Sequence, residues 1–152
     1  MDILLITDLC VGTKDKVKTQ IMQAVGVIIR ESPYSVKESM NRLQNFLIQQ
    51  GVTIYKRIDQ QSEVNDTGQC LLPLEFIMFG NPKAGGVLMK ENPLIALDLP
   101  LKAIAWEDTS QKVWLAYNAG TYIEERYSLK QKAGSPLNLD NMMESLFGCR
   151  DC

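Results

Sequence analysis

Histidine is missing altogether from these 152 residues. Without an imidazole there is no Ser-His-Asp or Cys-His nucleophile system, no histidine-ligated zinc or haem, and no side chain whose unperturbed pKa lies near neutrality. Acid–base chemistry would fall to a carboxylate or lysine shifted by burial. Excess positive charge is missing too: the formal net charge is −2 and the pI about 5.2. The densest basic group, Lys14, Lys16 and Lys18, is diluted by Asp15, so the footprint that displaces counterions from nucleic acid is not there. Long apolar runs are also absent. Ile3-Leu4-Leu5-Ile6 follows Asp2, unlike a secretory leader, and no stretch approaches the roughly 20 apolar residues of a membrane span. These absences set the expectations of no nucleic acid, no membrane, no metal, no cofactor, and a cytoplasmic setting by default, in which thiols stay reduced.

What is present is an ordinary globular composition, 45% hydrophobic and 22% charged, at the length of one domain. Residues 1–24 read as an N-terminal extension of uncertain structure, and Met22 is a candidate alternative start. Residues 25–130 carry the main pattern. Residues 131–152 read as a C-terminal helix and tail of the same domain, with residues 131–135 as a flexible joint.

Val25–Arg30 is aliphatic and β-branched and predicts a strand. Ser35 and Glu38 form a capping-box pattern ahead of a helix whose Val36, Met40, Leu43, Phe46 and Leu47 share one stripe. Gly51 supplies its left-handed stop. Residues 52–58 alternate as a strand, residues 59–69 are polar with room for a helical turn, and residues 74–79 predict another strand. Asn81-Pro82 caps and starts a helix over 82–91, weakened by Gly85-Gly86 and stopped by Pro93. Residues 101–106 and 112–117 predict a hairpin, residues 122–129 a helix, and Ser135-Pro136 the start of a last helix ending at Gly148. This order predicts an α+β fold: a two-layer sandwich of a mostly antiparallel sheet with helices on one face, containing a split βαβ unit.

Several spaced motifs in order carry a resemblance: Phe79-Gly80-Asn81-Pro82-Lys83, Leu88-Met89, Ala96-Leu97-Asp98-Leu99-Pro100-Leu101, Trp106-Glu107-Asp108 and Val113-Trp114 to Tyr117-Asn118, with Ser32-Pro33-Tyr34-Ser35 and Arg57-Ile58-Asp59 upstream. Over roughly residues 25–130 the chain resembles domain of unknown function family 302. The resemblance implies a sandwich similar to the TATA-box-binding-protein-like folds and a homodimer, and it implies no established activity. The family pattern also implies histidines where this chain has Gln60 and Tyr127, so any imidazole-based role for the family does not carry over.

Candidate site residues follow from local chemistry. Gly80, Asn81 and Lys83 stand at a strand-to-helix junction, where free N–H groups and a lysine can hold an anion; the commoner arrangement is a capping Asn beside a solvated Lys. Asp98 lies in an apolar run and must be exposed, paired or hydrogen-bonded, either at a pocket mouth facing Lys83 or Lys102 or as a turn carboxylate. Asp59 and Glu63 can share a helical face as paired carboxylates or merely be solvated. Cys149 and Cys152 form a C-x-x-C after a helix C-terminus, a field that favours the neutral thiol. Tyr55, Trp106, Trp114 and Tyr117 either line a cavity or fill the core. The leading expectation is therefore a small-molecule or anion-binding module near Asn81, Lys83 and Asp98. The alternatives are an enzyme working through Asp98, Asp59 or Lys83, and a protein-interaction module.

Overall fold

The computed structural model describes residues 23–130 and 135–148. Five strands form one sheet: β1 (Val27–Ser32), β2 (Thr53–Asp59), β3 (Leu74–Gly80), β4 (Leu101–Glu107) and β5 (Val113–Asn118). Their order is β1-β5-β4-β3-β2, and every neighbouring pair is antiparallel. β1 and β2 thus run in the same direction at opposite edges, with three strands between them. The helix that joins them, α1 (Val36–Gln49), crosses beneath the sheet against β2, β3 and β4. This is the split βαβ unit that the order of elements predicts.

The α1 stripe explains why the helix lies there. Val36, Met40, Leu43 and Leu47 recur at helical spacing and are buried, while β3 alternates Glu75, Ile77 and Phe79 inward. Register places Phe79 opposite Leu101 and Ile77 opposite Ala103, with Ala103 opposite Tyr117 on the next strand. The small Ala103 and Ala105 keep this face shallow, so the helix can approach closely; each large side chain buried there contributes roughly 1.5–3 kcal/mol. Ser35 Oγ accepts from Glu38 N at 3.2 Å. The Glu38 carboxylate pairs with Arg42 at 2.9 Å rather than reaching back to complete the capping box. Gly51, at φ +70°, closes a Schellman end in which Val52 N donates to Leu47 O and Gly51 N to Ile48 O.

The remaining helices are α2 (Gln60–Asn65), α3 (Pro82–Glu91), α4 (Gly120–Arg126) and α5 (Asp140–Phe147), with a 3-10 helix at Pro93–Leu97 between α3 and β4. Three boundaries differ from expectation. β1 starts at Val27 because Gly26, at φ +75°, turns the chain, with Val27 N donating to Ala24 O. α4 starts at Gly120 and ends at Arg126, because Ser128 adopts φ +52° and Leu129 N donates back to Glu124 O; a serine in a left-handed stop gives little sequence signal. α5 starts at Asp140 rather than Ser135, since Ser135–Asn138 forms a turn in which Leu137 N donates to Ser135 Oγ and Asn138 N to Ser135 O.

Two polar clusters fasten the layers. Arg57 on β2 donates to Glu75 Oε2 on β3 at 2.7 Å, and on α1 to Asn41 Oδ1 at 2.7 Å, Gln44 Oε1 and Lys37 O. Tyr117 on β5 donates to Asp140 Oδ1 on α5 at 2.8 Å and accepts from Arg30 Nε on β1 at 3.1 Å, while Arg30 also pairs with Glu144. Cys70 is disulfide-bonded, which corrects the expectation of reduced thiols; that expectation followed from a default compartment and not from any residue pattern. Lys14, Lys16, Lys18, Met22, Cys149, Cys152 and most of the 131–135 joint lie outside the described residues.

Candidate functional site

Where β3 ends and α3 begins, the two layers part around a cavity of about 350 Å³. Its walls come from six places. Leu47 and Val52 stand at the end of α1, Tyr55 on β2, Phe79–Pro82 at the junction, Leu99–Leu101 at the start of β4, and Pro136, Leu137, Leu139 and Met142 in the C-terminal segment; Ala84, Gly85, Leu88 and Met89 of α3 close one side. No Asp, Glu, Lys or Arg is among these residues. The sequence builds this opening by interrupting the core: α3 carries two adjacent glycines and buries no residue fully, so the sheet end that α1 does not cover is roofed only loosely.

Two residues of the lining, Tyr55 and Asn81, carry polar side chains. β2 has a register shift between Ile54 and Lys56, which makes Tyr55 the extra residue of a bulge. Bulges turn a side chain away from the regular alternation, and here the Tyr55 ring is brought beside Gly80, where a Cβ would stand 3.6 Å from Tyr55 Cε2 and 3.7 Å from Pro100 Cβ. The second is Asn81. Its Oδ1 accepts from Lys83 N at 3.0 Å and Ala84 N at 3.3 Å, Gly85 N donates to Asn81 O, and Pro82 has no N–H. Every backbone donor in the first turn of α3 is therefore engaged by Asn81, and none is left to cradle an anion.

The other candidates sit apart. Of the residues singled out from the sequence, Gly80 and Asn81 line the cavity, and Lys83, Asp98 and Asp59 do not. Lys83 is exposed. Asp98, largely shielded, accepts from the Tyr127 hydroxyl at 2.6 Å and from Arg126 at 3.2 Å, rather than from Lys83 or Lys102; Lys102 Nζ donates to Pro100 O. Its bond to Asp98, joined by burial, raises the Tyr127 pKa above the ordinary phenol value. Asn92 Nδ2 also donates to Tyr127 O at 2.8 Å, so Asp98 and Asn92 together pin the end of α4 to the 3-10 helix. Asp59 caps α2 by accepting from Ser62 N at 2.9 Å. Among the described residues no group of three His, Cys, Asp or Glu is placed to hold a metal ion. Of Tyr55, Trp106, Trp114 and Tyr117 only Tyr55 lines the cavity: Tyr117 is in the core, and Trp114 Nε1 donates to Asp108 Oδ2 in the hairpin turn.

The family model for the domain of unknown function DUF302 matches residues 28–146. The chain belongs to that family. A solved DUF302 structure, an uncharacterised conserved protein from Bacillus stearothermophilus, aligns with a TM-score of 0.62 at 17% identity, covering 69% of this chain and 82% of that one; the likeness is one of fold. Among curated proteins the chain is similar to two named fluoride-specific ion channel FluC 1. With that of Brucella suis biovar 1 it is 40% identical over 104 residues, 68% of this chain and 41% of the relative. With that of Brucella abortus biovar 1 the identity is again 40% over 104 residues, 38% of the relative's length. The chain thus spans about two-fifths of the length of the curated relatives it matches. In this DUF302 domain Tyr127, at a position where the resemblance implies histidine, uses its hydroxyl to hold Asp98.

Apart from the junction and Tyr55, the lining carried no sequence signal of a cavity. Leu88, Met89, Leu99, Leu137, Leu139 and Met142 occur at spacings that read as core, and only the fold shows that they face an opening. The bulge at Tyr55 was legible as an aromatic in a strand, but not as a residue turned toward Gly80.

Proposed function

We propose that this DUF302 domain binds an apolar small molecule in the cavity between α3 and the end of the sheet. The observation that carries the reading is a volume of about 350 Å³ enclosed by apolar side chains with no charged residue in the lining, the size and character of ligand pockets in general. Two of the exposed apolar side chains, Tyr55 and Met89, line the cavity. The test is titration of the full chain into naphthol, a neutral fluorophore whose emission responds to an apolar environment. Saturable enhancement is expected, and it should vanish in Leu88→Arg, which puts a charge in the wall. Enhancement that is absent, or equal in both proteins, would defeat the proposal.

A second reading concerns context and is supported by the names of the curated relatives. No helix among the described residues is long and apolar enough to cross a membrane, and the shared segment makes up about two-fifths of those relatives. In this reading the segment is an accessory domain that accompanies a channel rather than forming its pore. Fluoride suits the cavity poorly, because an anion taken out of water needs a counter-charge and no Lys or Arg is among the lining residues. Fluorine NMR of fluoride with this chain is expected to show no saturable broadening; saturable binding would assign the anion to this domain instead.

A further inference from the structure

The lining of the cavity also selects among small molecules. Resting on the small-molecule reading, we propose that the ligand is a neutral, largely hydrocarbon molecule with one hydrogen-bond-accepting oxygen, and that Gly85 sets its upper size.

Neutrality follows from the wall. With no Lys or Arg among the lining residues, a carboxylate or phosphate entering the cavity would lose water without gaining a counter-charge. The oxygen follows from the two polar side chains present. Asn81 Oδ1 is committed to Lys83 N and Ala84 N, which leaves the Asn81 amide only its N–H groups to offer. The Tyr55 hydroxyl takes no partner among the described residues, and Tyr55, 46% exposed, is one of the lining residues. Both groups can donate, so the complementary ligand atom is an acceptor: an alcohol, ketone, aldehyde or ester oxygen.

Size follows from the volume and from Gly85. The cavity of about 350 Å³ lies at the small end of ligand pockets, which run from roughly 300 to 1,000 Å³. Gly85 faces Leu99, with Met89 one turn further along α3 beside it: a Cβ there would lie 3.7 Å from Leu99 Cδ1 and 3.9 Å from Met89 Cε. These are ordinary contact distances, so a methyl group fits, whereas a longer side chain occupies the space meant for the ligand.

The test compares octane, octanol and octanoate as competitors for naphthol on the full chain at about pH 8, where octanoate is charged. Octanol is expected to compete at a concentration at least about tenfold lower than octanoate. Tyr55→Phe should bring octanol toward the affinity of octane. Gly85→Ala should retain octanol binding, and Gly85→Leu should lose it with circular dichroism unchanged and a melting temperature no lower than that of the wild type. Octanoate binding as tightly as octanol overturns the ligand class, and this comparison needs no variant to fold. Octanol binding undiminished in a folded Gly85→Leu protein overturns the role of Gly85. If none of the three compounds competes, including the case in which a second copy of the chain fills the opening, the small-molecule reading itself falls and this inference with it.

Discussion

Removing one hydroxyl, in Tyr117→Phe, separates the packing of this residue from its protonation. The ring stays in the core opposite Ala103, while the bonds to Asp140 and from Arg30 are lost. At neutral pH the expected cost is about 1 kcal/mol, the net worth of an ordinary intramolecular hydrogen bond. The larger effect is at alkaline pH. Burial first, then the bond donated to Asp140, outweigh the opposing pull of Arg30 and push the Tyr117 pKa up to about 12, against about 10 for an exposed phenol. The folded state thus holds this proton more tightly than the unfolded chain. Its contribution is fully present below about pH 10 and is lost as pH rises toward about 12, amounting to about 2–3 kcal/mol in all. Urea unfolding at a series of pH values from 8 upward should show the wild type losing stability more steeply than Tyr117→Phe above about pH 10, so that the two curves meet and then cross. Lysine titration affects both proteins alike and cancels in the difference. Parallel curves across that range would refute the argument that Tyr117 is held protonated by burial and Asp140.

Two further substitutions probe the frame that positions the cavity. Arg57→Leu leaves Glu75 and its partners on α1 without their donor and should cost about 3 kcal/mol in urea unfolding; adding Glu75→Met should recover part of that, and a double variant no better than the single one would contradict a paired charge. Gly26→Ala combines a left-handed backbone with a Cβ that would overlap the Tyr122 ring, and should cost about 2 kcal/mol or more. Adding Tyr122→Ala should relieve the overlap and leave only the backbone part, which a thermal unfolding comparison would reveal.

Much of the frame was legible before any coordinates. The stripe Val36, Met40, Leu43 and Leu47, the stop at Gly51 and the Asn81-Pro82 start each rest on a local rule that the tertiary structure has no reason to override, and each is found where the pattern puts it. Boundaries moved where the stopping signal was weak or of another kind: Ser128 in a left-handed conformation, or a turn at Ser135 that mimics a helix start. The site was half legible. Gly80 and Asn81 were identified by their junction, and they line the cavity. Lys83 and Asp98 were grouped with them by closeness in sequence and by charge. In space Asp98 turns instead to Tyr127 and Arg126, partners 28 and 29 residues away that no local pattern announces. The hydrocarbon wall was invisible for a different reason: an apolar side chain facing a cavity and one facing the core obey the same periodicity.

The central claim is that a small apolar molecule occupies the space between α3 and the sheet end, and methyl-resolved NMR of the full chain during octanol titration tests it most directly. The account predicts saturable shifts confined to the methyl groups of Leu88, Met89, Leu99 and Met142 and their neighbours in the wall, with Leu115 and Val113, at the far end of the core, unmoved. Shifts that are absent, or that spread evenly over the molecule without saturating, would contradict it.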